Sequence, residues 1–190
     1  GFSTLNIAST TLNLSAVFGF GGEGFDLASN TTHQFRVKAV NGPNSSAYVT
    51  LNTTSTLAAL PVSAVLGGVA VSSAGLVWSA NNNHQGTTYY AEVSTDGFAT
   101  LNASSQTLAL SSTFFSLASN TTHYLRVRAI NHNGVPSSYA VLAGTATWAA
   151  SPSPVSLGGV AVSSAGLAWG ANSNPSGTTY YAEVSTDGFT

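Results

Sequence analysis

The sequence predicts an all-β protein built from tandem antiparallel β-sandwiches. Three observations lead to this prediction: a repeat of about 90 residues, an apolar period of two within each repeat, and turn-forming residues roughly every 8–12 positions. The chain has 190 residues, of which 43% are hydrophobic, so it can bury a core. No stretch shows the 3.6-residue apolar period that would predict a helix of more than a few turns.

The repeat is visible in three blocks that each occur twice. They are LGGVAVSSAGL at 66–76 and 157–167, GTTYYAEVSTDGF at 86–98 and 177–189, and LASNTTH at 27–33 and 117–123. The spacing is 91 residues for the first two blocks and 90 for the third. The chain therefore divides into the later part of one repeat (1–60), a complete repeat (61–150) and the earlier part of a further repeat (151–190). Pro61 and the SPSP stretch at 151–154 mark the joints, because proline cannot donate to a strand ladder.

Within the complete repeat, several short runs alternate between apolar and polar residues. They are AGLVWSA at 74–80, TTYYAEVST at 87–95, STFFSLA at 112–118, HYLRVRAIN at 123–131 and SYAVLAGTAT at 138–147. In HYLRVRAIN the alternation places Leu125, Val127 and Ala129 on one face. Clusters of Asn, Gly and Ser separate the runs and predict turns. About seven strands in about 90 residues indicate a β-sandwich.

The succession SAGLVWSA, YYAEVSTD, LASNTTHYLRVRAIN and SSYAVLAGTAT resembles a fibronectin type III domain, which is an immunoglobulin-like β-sandwich. The resemblance covers nearly the whole chain. It implies strands A and B at about 62–80, C at 87–95, C′ near 99–109, E near 112–118, F at 122–131 and G at 138–148. On this assignment residues 1–60 hold strands C′ to G, and residues 151–190 hold strands A to C.

The resemblance also implies structural roles for individual side chains. Trp78 and Trp169 match the family's core tryptophan on strand B, while Leu117 and Val127 match its E–F leucine and strand-F valine. His33 and His123 stand where the family has a tyrosine that locks the E–F corner by a hydrogen bond to nearby backbone. An imidazole can also donate one hydrogen bond, so we expect the corner to survive in altered form.

Charged residues are rare, at 5% of the chain, and they are concentrated on two strands. All basic residues lie in the two strand-F copies, and most acids lie in or just after the two strand-C copies: Arg36, Lys38, Arg126 and Arg128, and Glu92, Asp96, Glu183 and Asp187. Strands C and F are neighbours in the family. We therefore expect Glu92 to pair with Arg126 or Arg128, and Glu183 with Arg36 or Lys38, each pair contributing roughly 0.2–1 kcal/mol.

The two end pieces together supply one whole repeat, and each alone would expose half a core and a sheet edge. Two explanations stay open. Either the chain is a subunit that assembles head to tail by exchanging half-domains, or it is a window on a longer tandem array in which the covalent chain continues. We favour the window, and both explanations lead to a fibre of stacked β-sandwiches whose partners are other copies of itself.

Few residues indicate chemistry, and we predict no catalytic residue, no cofactor and no metal. His84 and His132 fall in the B–C and F–G loops, which meet at one end of the fold, but they lack a carboxylate or cysteine partner. GFGGEGF at 19–25 has no lysine and no strand-to-helix context, so we interpret it as a loop used for lateral contact. With a net charge of −2 and four basic residues, we predict no basic surface that would bind nucleic acid. No apolar run is long enough for a membrane-spanning helix, so we predict no membrane insertion.

The leading hypothesis is a structural subunit or repeat segment of an extracellular or cell-surface filament. The alternative is a surface adhesin, or a carbohydrate-binding or spacer module of a larger secreted protein, for which Tyr90, Tyr124 and Tyr181 offer exposed rings and glycans are the partner. A cytosolic domain of a larger enzyme is disfavoured by the lack of cysteine and charge. Asn30 and Asn120 lie in Asn-x-Thr sequences and are candidate glycosylation sites.

Overall fold

The structure, a computed structural model, describes residues 7–19 and 26–189. All regular structure in this part of the chain is β, so the prediction of an all-β fold is confirmed. The strands are β1 (Thr32–His33), β2 (Arg36–Val37), β3 (Val40–Asn41), β4 (Asn44–Ser45), β5 (Val49–Thr50), β6 (Thr54–Ser55), β7 (Val62–Val69), β8 (Ala74–Ser79), β9 (Thr88–Ser94), β10 (Ala103–Thr107), β11 (Ser111–Phe114), β12 (Thr122–Ile130), β13 (Ala140–Val141), β14 (Thr145–Ala146), β15 (Val155–Ala161) and β16 (Ser164–Trp169). None of the described residues belongs to a helix that could span a bilayer.

The central repeat consists of two antiparallel sheets that pack face to face. One sheet has the strand order β11–β8–β7, and the other has the order β10–β9–β12–β13, with β14 also paired to β12. Residues alternate between the inner and outer faces, as the burial of every second residue in β12 shows. This alternation is what the apolar period of two predicted.

The core lies between these two sheets and is supplied by both of them. Its buried members are Ala74, Leu76, Trp78, Tyr89, Ala91, Val93, Phe114, Leu117, Leu125, Val127 and Ala129. The rings of Trp78 and Tyr89 are tilted against each other with their centroids 5.6 Å apart. Each large aliphatic side chain buried in this way stabilises the repeat by about 1.5–3 kcal/mol.

The edge strand β7 is irregular where the LGG sequence occurs. Its register with β8 shifts between Leu66 and Gly68, and Gly68 has a φ of 147°, which a residue with a side chain rarely adopts. A bulge of this kind twists an edge away from unwanted pairing. Strand β15 has a corresponding shift between Leu157 and Val160, so the irregularity repeats with the sequence.

The two end pieces form hairpins that no second sheet of the described residues covers. In residues 26–56 the pairs β3–β4, β2–β5 and β1–β6 follow one another away from a turn, and in residues 155–169 β15 pairs with β16. Their apolar side chains, including Val37 and Leu167, are largely exposed.

Some strands that the family resemblance implies for the end pieces are not formed. Residues 7–18, expected to include strand C′, and residues 178–185, expected to be strand C, carry no strand. In the central repeat β9 is held by β10 on one side and β12 on the other, whereas residues 178–185 have no such partner among the described residues. The GFGGEGF loop lies outside the described residues except for Gly19.

Candidate functional site: the junction between repeats

Neighbouring repeats meet through a polar junction, which consists of hydrogen bonds between backbone groups and Asn, Ser and Thr side chains. At the first junction, the corner at residues 29–31 of the first repeat lies against the β8–β9 loop, residues 81–87, of the central repeat. The hydroxyl of Ser29 donates to the carbonyl of Asn82 at 2.9 Å, and the backbone N–H of His84 donates to the carbonyl of Ser29 at 3.3 Å. The short chain between β6 and β7 passes beside the same loop.

Asn30 is the centre of this junction. Its side-chain Nδ2 donates to the hydroxyl of Thr87 at 2.6 Å, and its Oδ1 accepts from the backbone N–H of His132 at 2.8 Å. The residue is 0% exposed and has a φ of 47°, a left-handed conformation that asparagine tolerates better than most residues. Asn30 therefore fixes the first repeat to two separate loops of the next one.

Asn83 holds the connecting chain on the other side of the same loop. Its Oδ1 accepts from the N–H of Ala59 at 2.7 Å, and its Nδ2 donates to the carbonyls of Ala59 and Ala80 at 2.8 and 2.7 Å. Asn81 also donates to the carbonyl of Leu60 at 2.9 Å. The side chain of Asn83 thus pairs with the linker backbone much as a neighbouring strand would.

The same contacts recur at the second junction. Asn120 donates to the hydroxyl of Thr178 at 2.8 Å, while Asn174 accepts from the N–H of Ala150 at 2.8 Å and donates to its carbonyl at 2.7 Å. The hydroxyl of Ser119 donates to the carbonyl of Ser173 at 3.1 Å, as that of Ser29 does to Asn82. We call each pair, Asn30 with Asn83 and Asn120 with Asn174, an Asn clasp.

The first junction has further contacts from the loop that follows β12. The side chain of Asn131 donates to the carbonyl of Thr56 at 3.1 Å, and that of Asn133 donates to the hydroxyl of Thr54 at 2.9 Å. The first clasp is therefore held by both loops at this end of the central repeat.

His84 and His132 lie together at the first junction, in the two loops where the sequence placed them. Their ring centroids are 5.9 Å apart in an edge-to-face arrangement, and Nδ1 of His84 lies 2.6 Å from the carbonyl of Gln85. No group of three or more His, Cys, Asp or Glu residues that could hold a metal occurs within residues 7–19 and 26–189. Pro175 replaces His84 at the second junction.

The corner histidine of the central repeat is almost completely buried. His123 is 1% exposed and its Nε2 lies 3.3 Å from the carbonyl of Ala118, five residues upstream. This contact is the type that the family resemblance implied for the corner. His33 is half-buried, and its Nε2 has no hydrogen-bond partner within the described part of the chain. Of the remaining structural residues, Trp78, Leu117 and Val127 lie in the core, whereas Trp169 is not covered.

The outer face of β9 and β12 carries the charged residues. Nε of Arg126 donates to Oε2 of Glu92 at 2.5 Å, and the two residues are directly opposite in the ladder. The guanidinium of Arg126 also lies between the rings of Phe98 and Tyr139, 4.0 and 3.9 Å from their centroids. Glu92 is buried, so the pair is enclosed by aromatic rings instead of being a solvated surface pair.

The other charged residues have different surroundings. Arg128 lies 5.3 Å from the Tyr90 centroid and 4.7 Å from that of Tyr139. Burial raises the pKa of the Tyr139 hydroxyl, and the charge of Glu92 adds to the increase. In the first repeat, Arg36 and Lys38 both lie over the ring of Tyr48, at 4.0 and 5.0 Å.

The repeated STDGF phrase forms a hydrogen-bonded turn after β9. Thr100 donates to the carboxylate of Asp96 through its hydroxyl and its N–H, and the hydroxyl of Ser94 also donates to it. These donors lower the pKa of Asp96 to about 2, with the Thr100 side chain making the largest contribution. At Asp187 only the serine contact recurs among the described residues, and the hydroxyl of Ser185 is the main cause that lowers the pKa of Asp187.

Sequence reasoning missed the Asn clasps and assigned two of their members, Asn30 and Asn120, another role. Asn30 was expected to be a candidate glycosylation site, but the nitrogen that a glycan would modify is buried and donates to Thr87. Nδ2 of Asn120 is likewise engaged, by Thr178. A glycan on either nitrogen is incompatible with the junction. The sequence did contain one signal of the clasps. Asparagine recurs at the same position in both SNTT copies, Asn30 and Asn120, and at the same position of the following loops, Asn83 and Asn174.

No family model and no curated protein sequence matches the chain. Among solved structures, a segment of two fibronectin type III domains from chicken tenascin is similar, with 15% identity and a TM-score of 0.50, over 65% of this chain and 68% of that chain. The FN1–FN3 domains of chicken CNTN1 are similar over 64% of this chain and 44% of that chain, with 18% identity and a TM-score of 0.40. The FN5 domain of Drosophila Lar covers 48% of this chain and 98% of its own, with 15% identity and a TM-score of 0.38.

Proposed function

The central repeat of this chain has the fibronectin type III fold, and from that premise we propose that the protein is a structural segment of an extracellular or cell-surface fibre. In this fibre the repeats stack end to end in one fixed orientation. The observation that carries the proposal is the recurrence of the Asn clasp, with the same atoms bonded at both junctions.

The clasp favours a stiff connection between repeats because bending it would break buried hydrogen bonds. Asn30 is enclosed by both repeats, so opening the junction by a small angle would leave its amide without partners before water could enter. The linker adds to the stiffness, since it ends at the buried Pro61 and its backbone is bonded to Asn83. A Gly/Ser-rich tether would have the opposite properties.

The composition of the surface also supports a fibre. Only 5% of the residues are charged, and in the ion pair on the outer face of the sheet Glu92 is buried and Arg126 is half-buried. Neutral polar surfaces can pack side by side with little desolvation of charge. Bundling of neighbouring fibres is therefore energetically accessible to this chain.

The competing proposal, an adhesin or a glycan-binding module, would depend on exposed aromatic rings. Tyr124 and Tyr181 are exposed, but they belong to different repeats, and the ring of Tyr90 lies beside Arg128. These rings do not form a continuous strip on one repeat. The fibre is the better supported of the two proposals.

Distances between spin labels test the stiffness of the junction directly. The chain contains no cysteine, so Thr50→Cys and Val141→Cys, at equivalent outer positions of two repeats, give one label on each side of the first clasp. We expect a narrow distance distribution that broadens when Asn30→Ala is added, with Asn102→Ala as the exposed control. A broad distribution in the parent protein, or one unchanged by Asn30→Ala, would contradict a clasped rod.

A further inference from the structure

Two loops of the central repeat each present a histidine at the first junction. His84 lies in the β8–β9 loop and His132 lies in the loop after β12, and both residues are exposed. Their ring centroids are 5.9 Å apart and the ring planes are 77° apart, which is an edge-to-face contact. Two imidazoles from separate loops are therefore accessible to solvent at one place.

The backbone of His84 is fixed by both repeats. Its N–H donates to the carbonyl of Ser29 in the first repeat at 3.3 Å. Its carbonyl accepts from the hydroxyl of Thr87 at 2.6 Å and from the N–H of the same residue at 3.1 Å. Thr87 is buried and is in turn bonded to Asn30, so His84 has a defined position at the junction.

The backbone of His132 is fixed in a similar way. Its N–H donates to Oδ1 of Asn30 at 2.8 Å. The residue lies in a tight turn that the N–H of Gly134 closes by donating to the carbonyl of Asn131 at 2.9 Å. Because the backbone of both histidines is held in advance, little ordering is needed for a ligand that contacts both rings.

The ring of His84 has the tautomer that suits a metal ligand. Its Nδ1 lies 2.6 Å from the carbonyl of Gln85, and a carbonyl can only accept, so the proton is on Nδ1. Nε2 of the neutral ring then keeps its lone pair. A second ring nitrogen that donates to a backbone carbonyl is the usual arrangement of metal-binding histidines, because it orients the ring and raises its basicity.

The separation of the two rings is close to that of a shared ion. With a metal–nitrogen distance of about 2.0–2.1 Å, two imidazoles on one tetrahedral ion have ring centroids about 5 Å apart. The observed 5.9 Å differs from this by an amount that a small rotation of two exposed side chains can supply. The contact therefore has the spacing of a two-histidine metal site.

We propose that Nε2 of His84 and a ring nitrogen of His132 bind one divalent transition-metal ion of the copper and zinc class. Imidazole is a good ligand for these ions, and Cu²⁺ binds tightest among them. The sequence alone predicted no metal because the pair lacks a carboxylate or cysteine partner. With two rings already held together, water can fill the remaining coordination positions.

The ion would also stabilise the junction. It bridges two loops that both donate backbone hydrogen bonds to the corner at residues 29–31, so it binds best when both loops are in place. At the second junction Pro175 stands at the position of His84, which provides an internal comparison. The proposal goes beyond the fibre function and does not depend on it, since it concerns a site within one chain.

Titration of the 190-residue protein with Cu²⁺ tests the site. The affinity is measured by calorimetry at mildly alkaline pH, where imidazole is neutral, and pulsed electron paramagnetic resonance counts the imidazole nitrogens bound to the ion. His84→Phe and His132→Phe each keep an aromatic ring for the edge-to-face contact but remove the nitrogens. His33→Phe is the matched control, because His33 lies outside the pair.

We expect one Cu²⁺ per chain, bound by two imidazole nitrogens. Each of the two junction variants should retain one imidazole and bind at least about tenfold more weakly, because a ligand is lost, while the His33→Phe control should be unchanged. Equal affinity of the parent protein and both junction variants, a single imidazole in the parent protein, or no binding would each overturn the proposal.

Hydrogen exchange in the presence of Zn²⁺ tests the effect on the junction. The backbone amides of His84 and His132, which donate to the first repeat, should exchange more slowly when Zn²⁺ is bound. The amide of Ala150, which donates to Asn174 at the second junction, should be unchanged. Unchanged exchange of the two histidine amides in saturating Zn²⁺, or slowing that persists in His84→Phe, would overturn the bridging of the two loops.

Discussion

The central and third repeats contain the same segment in two different states. GTTYYAEVSTDGF forms the doubly paired strand β9 and its turn in the central repeat, but residues 178–185 of the identical copy carry no strand. Sequence and local propensity are equal in the two places, so neither can explain the difference. The presence of β10 and β12 beside β9 does explain it, because a strand is stabilised by its neighbours in the sheet.

The hairpin that precedes this segment also occurs in two copies. β7–β8 and β15–β16 have the same pairing and the same bulge, because their turn and their cross-strand contacts are local. Only the first of them is covered by an opposing sheet. Local sequence is therefore enough for the hairpin, whereas burial of its apolar face needs residues that are distant in the chain.

The largest expected contrast is between Trp78→Ala and Trp169→Ala. Removing the buried Trp78 should lower the free energy of unfolding by about 3–5 kcal/mol, because a large cavity opens between the two sheets. Trp169→Ala should cost less than about 1 kcal/mol, since the ring of Trp169 is not enclosed. Urea unfolding monitored by the circular dichroism of the sheets measures both, and equal losses would contradict the comparison.

A smaller contrast is expected between Glu92→Gln and Glu183→Gln. Glu92 is buried and accepts the hydrogen bond of Arg126, so losing its charge should cost about 1–3 kcal/mol. Glu183 is exposed, and its replacement should leave the unfolding midpoint unchanged. The matched substitutions are compared by urea unfolding, and a similar cost at both positions would show that the enclosed pair contributes little.

The two Asn clasps should differ by about 1 kcal/mol or less. Asn30→Ala should reduce stability by about 1–2 kcal/mol, because it leaves Thr87 and the N–H of His132 without their partner. Asn120→Ala loses only the bond to Thr178 and should cost about half as much. Hydrogen exchange of the backbone amides in residues 81–87 and in residues 172–178 reports the first and the second junction separately. A larger effect of the substitution at the second junction would contradict this order.

The smallest effect concerns acid and the two STDGF turns. The pKa of Asp96 is lowered to about 2, so its contribution to the folded state is complete above the ordinary aspartate pKa of about 4 and is lost as the pH falls through about 2. The pKa of Asp187 is also lowered, so the contribution of its carboxylate should likewise be lost only below the ordinary aspartate range. Carboxyl NMR titration checks both residues, and a pKa of Asp96 near 4 would show that the turn does not hold its carboxylate.

Several features of the fold were accessible from the sequence. The 90- to 91-residue spacing and the period of two predicted the β-sandwich, and the sequence placed Leu125, Val127 and Ala129 on the inner face because alternation is a property of every strand. The pairing of Glu92 with Arg126 or Arg128 was expected because strands C and F are neighbours in the family that the chain resembles. These features depend on local geometry and on strand neighbours that the family resemblance supplied.

Only the tertiary structure decided how the repeats are joined and which repeated segment is buried. Asn30 and Thr87 are far apart in the chain, and nothing in their spacing shows that they share a hydrogen bond across two repeats. The Asn-x-Thr sequence at Asn30 was interpreted as a glycosylation site on the surface, whereas the side-chain amide of Asn30 is buried. The sequence by itself determines the β-strand pattern and the repeat, because both are periodic along the chain. The clasps and the state of each strand C copy depend on which surfaces meet in three dimensions, which periodicity does not specify.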